Sequence, residues 1–350
     1  MSTITIETVE RLITEGNIQE AFQIAGGLPY PYKTLAEGII HYHTGNLQKA
    51  EEKLRELLQA SPEDPKANYY MGNIHIEKQN PKKAIYYLKK AVEGEGKAEY
   101  YNDLGYSYFI NGEIEKAVEH YKKAIQINPD LSTVYYNLGL AFRKLGRYED
   151  AIKYYNRAIS LNPDEPDYHY NLGIVYRLSG KPEKAVESYL KAIKLNPENE
   201  NYHNNLGNAY YDLGLIDKAI DSYKKAVEIN PSFFLGWQNL ANTYLDAGMY
   251  QEAIKAFKKA IKLNRRCGEC YMDMGIAYKE LGEYNRALEC YKKAAEVNPS
   301  LRADSIYNQA CLHAVKGEKD RAKRLLEKAF SMDKSLKEYA CQDPEVKELV

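Results

Sequence analysis

Residues 132–165 read STVYYNLGLAFRKLGRYEDAIKYYNRAISLNPDE, and this stretch decides the fold. Leu138, Phe142 and Leu145 stand at i, i+4 and i+7, the spacing of one face of an α-helix. Gly146 stops that helix. Between Tyr148 and Leu161, Ala151, Tyr155 and Ala158 carry the same spacing. Asn162-Pro163 then ends the second helix, because proline cannot continue one. The stretch reads as a helical hairpin.

Outward from it the hairpin recurs. Leu-Gly stands at Leu104-Gly105, Leu138-Gly139, Leu172-Gly173 and Leu206-Gly207, each step 34 residues, with Met71-Gly72, Leu240-Ala241 and Met274-Gly275 extending the series. Alanine follows twelve residues later at Ala84, Ala117, Ala151, Ala185, Ala219, Ala253 and Ala287. A glycine inside a helix costs about 1 kcal/mol relative to alanine. Its return in unit after unit predicts close approach of the two helices, with Gly139 facing Ala151. No single hairpin buries its apolar face alone, so neighbours must stack into one elongated core.

These residues resemble the tetratricopeptide repeat family. Its pattern is a large residue at position 4, Leu-Gly at 7 and 8, Tyr at 11, Ala at 20, an aromatic at 24, Ala at 27 and Pro at 32. The unit starting at Ser132 supplies Tyr135, Leu138, Gly139, Phe142, Ala151, Tyr155, Ala158 and Pro163 in that order. Nine units span residues 31–333, starting near Pro31, Pro65, Ala98, Ser132, Pro166, Glu200, Phe234, Gly268 and Ala303. Residues 1–30 read as a degenerate first repeat with too short a first helix, and residues 334–350 as a terminal capping helix. The resemblance implies an all-α, right-handed superhelical solenoid of nine to ten repeats, with first helices lining a concave face. It also implies a non-catalytic scaffold that binds a protein or peptide.

Composition is that of an ordinary soluble chain. Of 350 residues, 44% are hydrophobic and 28% charged; 48 Lys and Arg stand against 49 Asp and Glu, a net charge of −1. That balance gives no basis for nucleic-acid binding through bulk charge. No apolar run approaches the roughly 18 residues of a membrane span. The opening MSTITIETVERLITEGN lacks a secretory layout, and five cysteines make no disulfide framework, so a cytoplasmic location is expected. The 33 tyrosines predict many half-buried rings whose hydroxyls stay wet.

Chemistry-bearing constellations are few. Cys267-Gly-Glu-Cys270 has the spacing of a redox dithiol or half a zinc site. It lacks a strand–helix context and a second ligand pair, so it reads as structural, with thiol- or metal-dependent activity as the third functional reading. His41, His75 and His313 fall at repeat position 11, and His169 and His203 at position 4, all packing sites. Nothing assembles a nucleophile with a base, and no cofactor or metal is expected. Lysine pairs such as Lys122-Lys123 and Lys224-Lys225 read as a solvated outer face offset by Glu119, Asp221, Glu187 and Glu289 at i−4 of Lys123, Lys225, Lys191 and Lys293.

The candidate binding residues come from the first helices. Position 6 holds Asn137, Asn171, Asn205 and Asn239, flanked by Asp103 and Asp273, and position 9 adds Asn208 and Asn242. An amide offers two donors and an acceptor, which suits gripping an extended backbone. The ladder resembles that of the repeat domain of O-GlcNAc transferases. Thr133, Asp167, Asn201 and Leu235 at position 2 do not supply the basic residues of a chaperone-tail clamp. Arg143, Lys144 and Arg177 predict a positive groove over residues 132–199, and Asp212, Asp246 and Glu280 a negative one over 200–301. Self-assembly through groove or cap packing is the second functional reading.

Overall fold

Apolar periodicity and Gly/Pro punctuation produce helices and short turns. The computed structural model describes residues 2–350, with side chains from Ile6 onward, and the described residues contain no strand. The chain divides into two units, Met1–Val175 and Tyr176–Val350. The first holds α1 (Ser2–Thr14), α2 (Ile18–Gly26), α3 (Tyr32–His43), α4 (Leu47–Ala60), α5 (Pro65–Glu77), α6 (Pro81–Gly94), α7 (Ala98–Ile110), α8 (Ile114–Ile127), α9 (Ser132–Lys144), α10 (Tyr148–Leu161) and most of α11 (Pro166–Leu178). The second holds α12 (Pro182–Leu195), α13 (Glu200–Asp212), α14 (Ile216–Ile229), α15 (Phe234–Asp246), α16 (Tyr250–Leu263), α17 (Gly268–Glu280), α18 (Tyr284–Val297), α19 (Arg302–Val315), α20 (Lys319–Met332) and α21 (Ser335–Ala340). Within each unit, hairpins such as α9–α10 and α13–α14 pack internally and then against the next hairpin. The fold class is the expected all-α array of helical pairs.

The close approach inside a hairpin has a different cause from the one expected. A Cβ at Gly139 would lie 2.5 Å from Cε1 of Tyr155, with the ring, not Ala151, nearest to it. Ala151 is fully buried, but the ring one turn further along fills the space over the glycine. The same slot recurs at Gly105 with Tyr121 (2.7 Å), Gly207 with Tyr223 (2.6 Å) and Gly275 with Tyr291 (2.5 Å), while Leu88 takes the ring's place over Gly72. Tyr121, Tyr155, Tyr189 and Tyr291 are among the largest fully buried side chains, so this class of tyrosine is not half-wet. Tyr155 Oη has no hydrogen-bond partner. Burial raises its pKa above the usual phenol range.

In four repeats position 4 ties the hairpin to the loop before it. His169 Nε2 lies 2.8 Å from the Pro163 carbonyl, His203 Nε2 2.9 Å from that of Pro197, and Trp237 Nε1 donates to Pro231 at 2.9 Å. Asn68 Nδ2 donates to Pro62 in the same way, at 3.0 Å. Carbonyls only accept, so both histidines carry a proton on Nε2. These are structural roles, as their spacing predicts.

The lysine doublets also find a packing reason. Lys89, Lys224 and Lys258 sit 6.0, 5.9 and 5.8 Å over the rings of Tyr108, Tyr244 and Tyr278, each in the following repeat. Such cation–ring contacts hold a cation at an apolar surface. Of the expected pairs, Glu119–Lys123 forms at 2.7 Å. Lys225 and Lys293 turn instead to Glu228 at 3.7 Å and Glu296 at 2.9 Å, the acids three residues downstream.

The ends differ from the sequence reading. The first helix α1 has 13 residues, as many as α9, whereas α2 has only 9 against the usual 14. Gly16, at φ +80, occupies the turn between them, equivalent to Gly146 at φ +71. The C-terminal helix α21 stops at Ala340, and turns carry the chain on, because Pro344 cannot continue a helix.

Two substitutions test the packing logic. Gly139→Ala is expected to destabilise the chain by about 1–3 kcal/mol in urea unfolding, despite alanine's better helix propensity, because a buried ring must shift. The loss should largely vanish in a Tyr155→Ala background. Gln79 holds the turn position at φ 54 where other repeats carry glycine. Gln79→Gly should therefore stabilise by about 0.5–1 kcal/mol in the same assay.

Candidate functional site

The first helices lie in register, and side chains on their exposed faces reach one another across about 35 residues of sequence. In the first unit Asn137 Nδ2 donates to Asn102 Oδ1 at 2.9 Å. Asn171 Nδ2 donates to Tyr136 Oη at 3.0 Å and to the Asp167 carbonyl at 2.9 Å, and its Oδ1 accepts from Arg143 Nη1 at 3.1 Å. Asn171 is buried, 7% exposed, with its donors and acceptor used inside the protein. It is thus a tie between repeats rather than a free amide. Lys144 is exposed at the end of α9.

In the second unit Asn239 repeats that tie, donating to Asn204 Oδ1 at 2.9 Å and approaching Asn208 Oδ1 at 3.4 Å. Asn205 Nδ2 donates to the Asn201 carbonyl at 2.9 Å. The expected bipolar charge pattern fails at its centre. Arg177 Nε meets Asp212 Oδ2 at 2.5 Å, so these two expected opposite poles neutralise each other. The reason is register: position 12 of one repeat lies beside position 13 of the next. By the same register, Tyr211 Oη donates to Asp246 Oδ2 at 2.6 Å. Glu280 is exposed and lies 3.7 Å from Lys279.

What remains converges on one cavity of about 390 Å³, lined by Asn208, Tyr211, Tyr223, Asn239, Asn242, Thr243, Leu245, Asp246 and Asp273. Four of the expected site residues, Asn208, Asn239, Asn242 and Asp246, meet here. Asn208 Oδ1 already accepts from Tyr223 Oη at 2.7 Å. The buried Asn242 Oδ1 has no hydrogen-bond partner. Asp273 has neither a cation nor a donor among the described residues. Burial, followed by repulsion from Asp246 and Glu269, pushes its pKa up from 3.8 to about 6. Asp103, its counterpart at position 6 of an earlier repeat, is also raised by burial, but Tyr69, Asn102 and Asn73 hydrogen-bond to it. Sequence reasoning named Asp273 only as a flank and missed Tyr211 and Tyr223; their places at positions 12 and 24 were readable, their convergence was not.

Cys267 and Cys270 form a disulfide with Cα atoms 5.3 Å apart, both buried at the start of α17, where Cys267 Sγ also accepts from the Cys270 N–H at 3.1 Å. Cys290, Cys311 and Cys341 are free. No group of three or more His, Cys, Asp or Glu among the described residues has the arrangement of a metal site. No described helix is long and apolar enough to cross a membrane.

The sign of the Asp273 shift sets a pH test. A carboxyl whose folded pKa is raised favours folding fully below its unfolded pKa, and that contribution is lost as pH rises toward about 6. Above that, an ionised, unpaired carboxylate persists at a cost. Asp273→Asn is therefore expected to stabilise the chain by on the order of 1–2 kcal/mol at pH near 7.5, and by much less near pH 3.5, in parallel urea titrations.

Models of one repeat match nearly the whole array. The TPR repeat model covers residues 105–146, 139–180 and 175–214; tetratricopeptide repeat models cover 42–104, 201–233, 234–267, 268–301 and 303–336. Comparison with curated proteins gives no match. Among solved structures, MamA protein is similar at 26% identity and TM-score 0.46, over 49% of this chain and 93% of that one. YrrB, described as a TPR protein with an unusual peptide-binding site, is similar at 23% identity and TM-score 0.46, over 52% of this chain and 94% of that one. With hairpin geometry and repeat models in agreement from residue 42 to residue 336, the chain belongs to the tetratricopeptide repeat family.

Proposed function

We propose that this protein is a non-catalytic, cytoplasmic scaffold that holds an extended segment of a partner protein against the first helices of its second unit. The partner presents a basic side chain to the cavity between Asp246 and Asp273. One observation carries this reading: Asp273 is a half-buried carboxylate, its charge disfavoured by burial and without a cation or donor among the described residues, beside the unpartnered Asn242 Oδ1. A buried, unpaired charge is unfavourable, and a lysine or arginine entering the cavity relieves it. Around it, Asn205, Asn208 and Asn239 supply amides in the manner of an asparagine ladder, although several of their atoms are already engaged between repeats. Arg143, Lys144 and Arg177 contribute less than their charge suggests, since Arg143 and Arg177 are held by Asn171 and Asp212. Binding a cation through Asp273 also makes affinity depend on pH.

The expected result is that a lysine-bearing peptide from a cross-linked partner binds wild type at pH 7.5 and weakens as pH falls through about 6, as Asp273 takes up a proton. Asp246→Asn together with Asp273→Asn should weaken binding by about 1.5–3 kcal/mol in calorimetry, the range for hydrogen bonds to charged groups. Unchanged affinity in that variant, with unchanged pH response, would place the partner elsewhere.

A further inference from the structure

The turns after α21 do more than close the last hairpin. Glu345 Oε1 accepts from Lys279 Nζ at 2.7 Å, across 66 residues of sequence. Asp343 Oδ2 accepts from Tyr307 Oη at 2.5 Å and from Cys311 Sγ at 3.7 Å. Asp343 Oδ1 accepts from the Glu345 N–H at 2.9 Å, fixing the turn. Val346, only 1% exposed, belongs to the cluster of Ile306, Tyr307 and Leu326. Lys279, Tyr307 and Cys311 stand at repeat positions 12, 5 and 9, the same face of the first helices that forms the cavity further back. Residues 343–346 therefore lie on that face as a bound segment would.

The chemistry of the contacts separates a docked segment from a simple cap. A cap needs only to cover apolar surface, and Val346 does that. Both acidic side chains of Asp343-Pro344-Glu345-Val346 instead meet polar tips of α17 and α19. Burial opposes the charge on Lys279, yet the hydrogen bond to Glu345 and the nearby carboxylates leave its pKa above the usual value. The Cys311 thiol is pushed up to about 12 by burial and by Asp343 and Glu345, so it stays protonated beside them. The face thus offers one ammonium, one phenol and one thiol, all donors, beside an apolar recess.

We propose that this face of α17 and α19 is a second docking site, for a partner segment of the pattern Asp-x-Glu-apolar, and that residues 343–346 occupy it in cis until displaced. The site is independent of the Asp246–Asp273 cavity, which takes the opposite charge.

A labelled synthetic peptide of residues 341–350 tests this against the full chain. The doubly substituted chain Asp343→Asn/Glu345→Gln keeps Val346 and should bind the peptide at least tenfold tighter than wild type. Adding Lys279→Ala should remove that gain. Equal binding by wild type and the double variant, or a gain that survives Lys279→Ala, overturns the proposal. Hydrogen exchange provides the second arm. Lys279→Glu and Glu345→Lys singly should speed exchange at residues 341–349, and their combination should restore protection. If protection is the same in all four forms, the ion pair does not seat the segment and the proposal fails. Asp246→Asn/Asp273→Asn should leave peptide capture unchanged; its loss there would show that the two sites are one.

Discussion

A tyrosine ring laid over a glycine is the contact on which the hairpins at Gly105, Gly139, Gly207 and Gly275 depend. With 2.5–2.7 Å between ring and the missing Cβ, no other residue fits at Gly105, Gly139, Gly207 or Gly275 without moving the aromatic. The helix pays for the glycine locally, by about 1 kcal/mol, and gains a fully buried ring whose burial outweighs it. Because the ring sits at the centre of its hairpin, it fixes the separation of the two helices. The stagger between successive hairpins then sets which side chains meet on the first-helix faces.

From that stagger follow the polar contacts between successive first helices. Asn137 with Asn102, Asn171 with Tyr136, Asn239 with Asn204, Arg177 with Asp212 and Tyr211 with Asp246 are each 35 residues apart. Polar groups that looked available for a ligand are spent on holding neighbours in register. Among the groups that the register leaves without a partner are Asp273 and Asn242 Oδ1, on which the proposed reading rests. A binding face of this kind is defined by subtraction.

Period, hairpin boundaries and the all-helical class were readable from Gly139, Gly146, Ala151 and Pro163 and their counterparts at 34-residue steps, because they are one-dimensional constraints on helix start, stop and spacing. What fills a glycine slot was not readable, since Ala151 and Tyr155 share a helical face and only the crossing of α9 and α10 chooses between them. The asparagines were readable as a register along the first helices, but the direction each amide takes was not. An amide at position 6 can turn outward or along the array, and the neighbouring helix decides. Arg177 and Asp212 were assigned to opposite poles of the groove from the signs of their charges; the register that sets position 12 of one repeat beside position 13 of the next pairs them instead. Pro344 marks the end of helical structure beyond α21, a signal that the reading of residues 334–350 as a capping helix left unused.

The constancy of those 35-residue contacts has a consequence for how such a chain can change length. Excising residues 98–131 would bring Asn137 into the place of Asp103, opposite Tyr69, whose phenol hydrogen-bonds there now. The new pair would be an amide on a phenol, the pair that Asn171 and Tyr136 already make. The junction left by that excision is thus chemically close to one that exists elsewhere in the chain. Duplication or loss of a whole repeat is tolerated by the interfaces, whereas insertion of a few residues inside one shifts every downstream contact at once. Length in this protein is quantised, and its surface can be lengthened or shortened without redesigning the joints.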